Sequence, residues 1–357
     1  MNETPPNPPD ARYLYRPTVH AVWPEDRELF EKHLRSFVPP DAFDAHAHCY
    51  TMSSLGFDSL RDVPDAQREV GMSVYRERTA AWMGDRCPGD GLFFGLPTSP
   101  AVDTAATNTF VAEQLQGASG SRALMLIRPD DEPDAVEAAV ELHGFAGFKV
   151  YHAFASRHPT FDADLAEFLP DWAWEIAHRR GLAIMLHIVK PRALADPANQ
   201  SALREALRKY GSAKLILAHA GRGFCAMHTV EGIPALGGLE NVFFDTSAIC
   251  EPGAFIAIAQ QFGLGRLMFG TDFPVSNLRG RCSSLGDGFV WLYEHSVNWD
   301  ESAFGKPTLV GIESLLALHQ ACRLLGSTDA EIERVFCTNV RELLGIRARM
   351  GREGQRR

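Results

Sequence analysis

Residues 43–50 read FDAHAHCY, a short apolar run carrying histidines at 46 and 48. On a strand, residues i and i+2 share a face, so His46 and His48 project side by side while Ala45 and Ala47 face the other way. Two neutral imidazoles aimed at one point suit a divalent cation. The plain alternative is a polar strand end facing water. The fragment alone leaves the two even; the rest of the chain separates them.

Working outward, short apolar runs of similar length recur: AFDAHAH (42–48), GLFFGLP (91–97), RALMLI (122–127), GFKVYH (147–152), LAIMLH (182–187), KLILAH (214–219), NVFFDTS (241–247) and RLMFGTD (266–272). Between them lie amphipathic helical patterns such as EPDAVEAAVELHG and SALREALRKYG, several closing on the glycine that commonly follows a helix. Strands alternating with helices imply βα units and a parallel sheet. Eight units favour a (β/α)8 TIM barrel over an open doubly wound sheet, and no GxGxxG follows the first strand to argue for a dinucleotide fold. Residues 1–22 are proline-rich and read as a flexible arm, Pro24 and its following acids start a helix, and two amphipathic helices end the chain. Residues 23–357 are expected to form one domain. Within it, 277–307 is long for a βα loop and is expected to carry a short helix or to act as a lid.

The bulk properties narrow the function classes. The chain has 357 residues, 45% apolar and 22% charged, an ordinary globular composition. A formal charge of −10 argues against a nucleic-acid surface. No apolar run approaches the roughly 20 residues that cross a bilayer. The N-terminus lacks a signal-peptide core, and seven cysteines with no CxxC pair suit reduced thiols and a cytoplasmic location.

Metal-competent residues recur at the C-terminal tips of these strands. His46 and His48 end the first, His187 the fifth, His219 the sixth and Asp272 the eighth, whose tip would lie beside the first. That end of a barrel is where its chemistry is placed. Three imidazoles and a carboxylate are a sensible set for one divalent metal ion, Zn²⁺ foremost, with Mn²⁺ or Fe²⁺ as alternatives.

HxH on the first strand, single histidines on the fifth and sixth, and Asp in FGTDFP together resemble the amidohydrolase superfamily, and within it the amidohydrolase family 2 branch that includes relatives of aminocarboxymuconate-semialdehyde decarboxylase. The resemblance spans about residues 40–345, closing with IERVFCTNVRELLG. It implies His46, His48, His187 and Asp272 around one metal ion, with His219, followed by AGRG, touching substrate or the attacking water. In binuclear relatives a carboxylated lysine bridges two metals. Lys149 stands on the fourth strand, where an ordinary ammonium contacting a substrate anion is expected instead.

The resulting expectation is a hydrolase of an amide, lactone or related bond, with Asp272 as base and His219 as acid or electrophile. Non-oxidative decarboxylation of a small carboxylic acid is the second possibility, and a non-catalytic binding barrel the third. Lys149, Lys190, Arg192, Arg222, Arg279 and Arg281 gather near the expected mouth, which points to an anionic, carboxylated small-molecule substrate. The alternative is that half of them pair with surface acids. Arg222 and Lys149 are singled out for substrate binding, with Tyr151 as an aromatic wall. Asp44 either orients a ligand or pairs inside the barrel, and His152 has the wrong parity for the site. A homodimer would accord with family habit.

Overall fold

A computed structural model describes residues 21–56, 68–301 and 305–346. The expected arm therefore lies outside the described residues except for its last two positions. Eight short parallel strands follow the expected order: β1 (Phe43–His48), β2 (Asp90–Phe94), β3 (Arg122–Ala123 and Met125–Leu126), β4 (Gly147–Tyr151), β5 (Ala183–His187), β6 (Lys214–Leu217), β7 (Val242–Asp245) and β8 (Leu267–Met268). They make a three-stranded sheet, β1-β2-β3, and a six-stranded sheet, β8-β7-β6-β5-β4-β3, with the two pieces of β3 in different sheets. Bonds around β3 join them, Leu124 N donating to Phe93 O and Ala146 N to Ala123 O. At the other edge, Ala45 N donates to Phe269 O, Asp272 N to His46 O and His48 N to Phe273 O, which sets β1 beside the chain leaving β8.

Two apolar clusters divide the strands' faces. The smaller one takes Phe43, Ala45, Leu92, Phe94, Leu124, Ala183, Met185, Ile216, Ala218 and Met268, together with Val340 and Leu343 from the end of the chain. The larger takes alternating residues such as Phe93, Phe148, Val150, Ile184 and Leu186, packed with the surrounding helices. The two-residue period is what places Lys149 and His187 on the same face as the smaller cluster.

Strand β1 departs from that period. Asp44 pairs with Gly91 but Ala47 with Phe93, so three steps on β1 answer two on β2. The extra residue is a β-bulge, which reverses the alternation. Phe43 and Ala45 thus share the smaller cluster, contrary to the expectation that Ala45 faces away from it with Ala47. Asp44 turns instead to Tyr75 on the helix Met72–Met83.

The segment after β8 carries more than was expected of it. It forms an antiparallel ribbon, β9 (Gly280–Leu285) and β10 (Gly288–Tyr293), closed by Gly286 and Asp287, and a short 3-10 helix, Trp299–Glu301, follows it. A Gly at positive φ in a two-residue loop between alternating residues is a hairpin signal. Gly280 at its start has φ 144, and an added Cβ would sit 2.4 Å from Leu292 O.

A buried clasp ties this ribbon to the start of the described chain. Arg279 Nη1 and Nη2 donate to Asp26 Oδ1 and Oδ2 at 3.0 and 2.6 Å, and its guanidinium lies 3.4 Å from the centre of the Trp23 ring. Asp26 sits in the first turn of the helix Pro24–His33 and also accepts from Thr308 Oγ1. Breaking a buried ion pair by removing one partner strands the other charge. Arg279→Met is therefore expected to destabilise the fold by about 3–5 kcal/mol in denaturant titrations.

Candidate metal centre

The bulge and the motif FGTD build the site together. Gly270 allows close approach to β1, since a Cβ there would lie 2.8 Å from His46 Cβ. Thr271 reaches Asp44, whose carboxylate accepts from Thr271 N and Oγ1, from His46 N and from Tyr75 OH. Asp44 so holds the backbones that carry His46 and Asp272. Burial pushes its carboxyl up to about 6 despite those bonds. Asp272 itself has φ 58, a left-handed conformation that aspartate tolerates better than most residues.

The result is convergence. Asp272 Oδ1 lies 3.3 Å from His46 Nε2 and 3.4 Å from His48 Nε2, all three residues being buried. His48 Nδ1 donates to Gly95 O at 2.8 Å, and His46 Nδ1 to Asp245 Oδ2 at 2.9 Å. Both rings thereby leave Nε2 as the free lone pair, and His46 Nε2 is a buried atom with no hydrogen-bond partner. Burial lowers both imidazoles, His46 to about 3, so they are neutral and able to coordinate. Two such nitrogens and a carboxylate oxygen within 4.8 Å of one another fit a divalent cation.

His219 stands next to this group. Residues 219–222 all have positive φ, from 53 to 71, a strained run that closes β6. His219 Nδ1 is 2.9 Å from Ser247 Oγ and 3.1 Å from Ser247 O, and 4.0 Å from Asp272 Oδ2. His187 approaches from the other side, its ring 5.1 Å from that of His219 and 4.8 Å from that of Tyr151, with Nδ1 unpartnered. The group within 4.8 Å contains His46, His48 and Asp272; His187 is a neighbour of it through His219.

The amidohydrolase family profile matches residues 44–346, most of the chain and every residue just described. The chain belongs to the amidohydrolase family. Among solved structures with a similar fold is a probable 2-pyrone-4,6-dicarboxylic acid hydrolase from Acinetobacter baumannii with citric acid bound: 14% identity, 85% of this chain and 99% of that chain covered, TM-score 0.55. Another is a dihydroxybenzoic acid decarboxylase from Polaromonas sp. JS666 with bound manganese: 18% identity, 86% and 98% covered, TM-score 0.52. A third is a Burkholderia multivorans amidohydrolase with bound zinc: 14% identity, 86% and 99% covered, TM-score 0.53. A comparison with curated proteins finds no match. This chain is accordingly an enzyme of a metal-dependent family that contains both hydrolases and decarboxylases. Among its described residues no helix is long and apolar enough to cross a membrane.

Two groups of this amidohydrolase escaped the sequence reading. Asp245, at the tip of β7, is fully buried and accepts from His46 Nδ1, from Ser247 N and from His219 N. Burial pushes its carboxyl up, but His46, His219 and Ser247 outweigh this and hold it below the usual range. Ser247 Oγ also donates to Asp245 Oδ1 and faces His219 Nδ1. The signal was there in NVFFDTS: Asp245 ends a strand as His187 does. A carboxylate behind a ligating imidazole fixes its tautomer, and its loss typically lowers metal affinity about 10–100-fold. Asp245→Asn should show that loss in a competition titration with a chelator.

The basic residues sort clearly. Lys190 pairs with Asp164, Arg192 with Glu231 and Asp287, Arg281 with Glu313, and Arg279 is used in the clasp. These four therefore serve structure, one more than the half that the alternative assigned to surface acids, and the partner of Arg279 is buried. Lys149 and Arg222 have no acidic partner within salt-bridge distance among the described residues. Lys149 Nζ lies 4.7 Å over the Phe94 ring, itself packed against His46 and His48. Burial lowers its ammonium to about 8, while Asp245 and Asp272 pull the other way.

Proposed function

We propose that the protein hydrolyses an amide, lactone or related bond of a small carboxylated substrate, using water activated at one divalent ion, in a (β/α)8 barrel formed by a single domain. The closure of the barrel is supported by the bonds from β1 to residues 269–273 and by a small apolar cluster fed from nearly every strand. Residues 46, 48 and 272 would hold the ion, with His187 completing the set. Zn²⁺ suits three imidazoles and one carboxylate best. When bound, such an ion makes water nucleophilic near neutral pH and polarises a carbonyl. A reducing cytoplasm suits the seven free thiols.

One observation carries the hydrolytic reading. Asp272 points Oδ1 at the two histidine nitrogens and Oδ2 toward His219. One oxygen can serve the ion while the other takes a proton from the attacking water. Burial pushes the Asp272 carboxyl up, but His219, His48 and His46 outweigh it and keep it ionised, as a base must be. His219, fastened by the bond its Nδ1–H donates to Ser247 O, keeps Nε2 as an acceptor, so it serves as the acid only in its doubly protonated form. Lys149 and Arg222 supply the positive surroundings for a carboxylate, and Tyr151 lines the same wall.

The test is turnover by zinc-loaded protein of 2-pyrone-4,6-dicarboxylate, set beside 2,6-dihydroxybenzoate. Incorporation of ¹⁸O from water into product supports hydrolysis. Release of CO₂ without that incorporation would assign decarboxylation instead.

A further inference from the structure

Among the buried polar groups without a full set of partners near the candidate ligands, two stand together on one wall, Arg222 and His152. The Arg222 guanidinium, in a residue only 9% exposed, donates to Lys190 O and meets no carboxylate within salt-bridge distance among the described residues. The His152 imidazole, 4% exposed, has Nδ1 at 2.8 Å from Thr160 Oγ1, and its Nε2 has no partner. A buried cation without a counter-charge is strongly unfavourable unless an anion arrives to pair with it.

The two groups share one wall. The Phe161 ring lies 4.4 Å from the His152 ring and 5.3 Å from Arg222 Cζ. Phe289, carried by the ribbon strand β10, also lies 5.3 Å from Arg222 Cζ. His152 contacts Tyr151 at 4.5 Å and His187 at 5.8 Å, which sets it beside the candidate ligand His187. Strand parity places His152 away from the site, but β4 ends at Tyr151, and the 3-10 turn His152–Phe154 redirects the next side chain.

We propose that His152 and Arg222 form an anion subsite that takes a carboxylate of the substrate, at a distance from the bond being broken. The guanidinium supplies charge and direction, and His152 supplies a neutral second donor: with the Thr160 hydroxyl donating to Nδ1, Nε2 carries the proton. The phenyl rings of Phe161 and Phe289 exclude water from the pair and favour a ligand whose carboxylate is attached to an apolar body. This deepens the hydrolase reading and rests on it for calling the ligand a substrate.

Benzoate, with benzamide as the uncharged control, is the probe, titrated calorimetrically into metal-loaded protein. Benzoate is expected to bind and benzamide to bind at least about 10-fold more weakly, as loss of a charged hydrogen bond implies. His152→Phe keeps an aromatic ring against Phe161 and should weaken benzoate about 10-fold, with metal content and thermal unfolding unchanged. Arg222→Met should weaken it more, and His152→Gln, which keeps a donor, should restore part of the loss. Because both groups grip one carboxylate, the double variant should lose less than the two single losses combined. Benzoate affinity indifferent to both substitutions, or no benzoate binding by the wild-type protein, would overturn the subsite. Lactone hydrolysis persisting alongside either result would overturn the subsite alone. Benzoate binding lost as expected, in a protein that turns over no lactone, would overturn the hydrolase reading and leave the subsite standing.

Discussion

Asp272→Asn is expected to abolish turnover, lowering kcat about 10³-fold or more while leaving the protein folded. Asparagine matches the carboxylate in size but can neither accept a water proton nor offer a charged oxygen between His46 and His48. The loss should fall on kcat more than on KM, because Arg222 and His152 stand apart from this carboxylate. Measuring kcat, KM and metal content of the same preparation separates the outcomes. Full activity with asparagine at 272 would remove the base from the mechanism. A protein that only binds its ligand would instead show altered affinity and no rate to lose.

His46→Ala is expected to reduce bound metal from about one equivalent per chain to a small fraction of that, because one of a few ligands is gone. The same substitution strips Asp245 of the hydrogen bond that His46 gives it, leaving a buried carboxylate short of one donor. Some loss of stability should therefore accompany the loss of metal. Elemental analysis of wild-type and variant protein, with circular dichroism as the folding control, measures both. About two equivalents in the wild type would instead revive a carboxylated Lys149 bridging two ions.

Much of this was legible in the sequence. The eight apolar runs and their alternation with helices emerged in order, and the tips of β1, the run after β8, and β6 carry the residues that converge. What strand periodicity could not show was where it breaks. The bulge in β1 turns Asp44 toward Tyr75 and Thr271, and the turn after Tyr151 brings His152 back to the pocket. One extra residue in a ladder has no compositional signature, so two-residue counting carries straight through it. Asp245 was missed for a different reason: its place at a strand tip was visible in NVFFDTS, but its role depends on His46, 199 positions earlier, being placed against it. The ribbon β9–β10 carried a hairpin cue in LGDG that its length as a loop obscured.

The clasp between Arg279 and the helix Pro24–His33 also bears on how the enzyme can be shortened. Trimming residues 1–20 spares Ala21, Trp23 and Asp26, whereas trimming through Asp26 unseats Arg279 at the root of the hairpin that carries Phe289 to Arg222. Deletions at the far end of the polypeptide would then register as poorer grip on the ligand before any fault appeared at the metal.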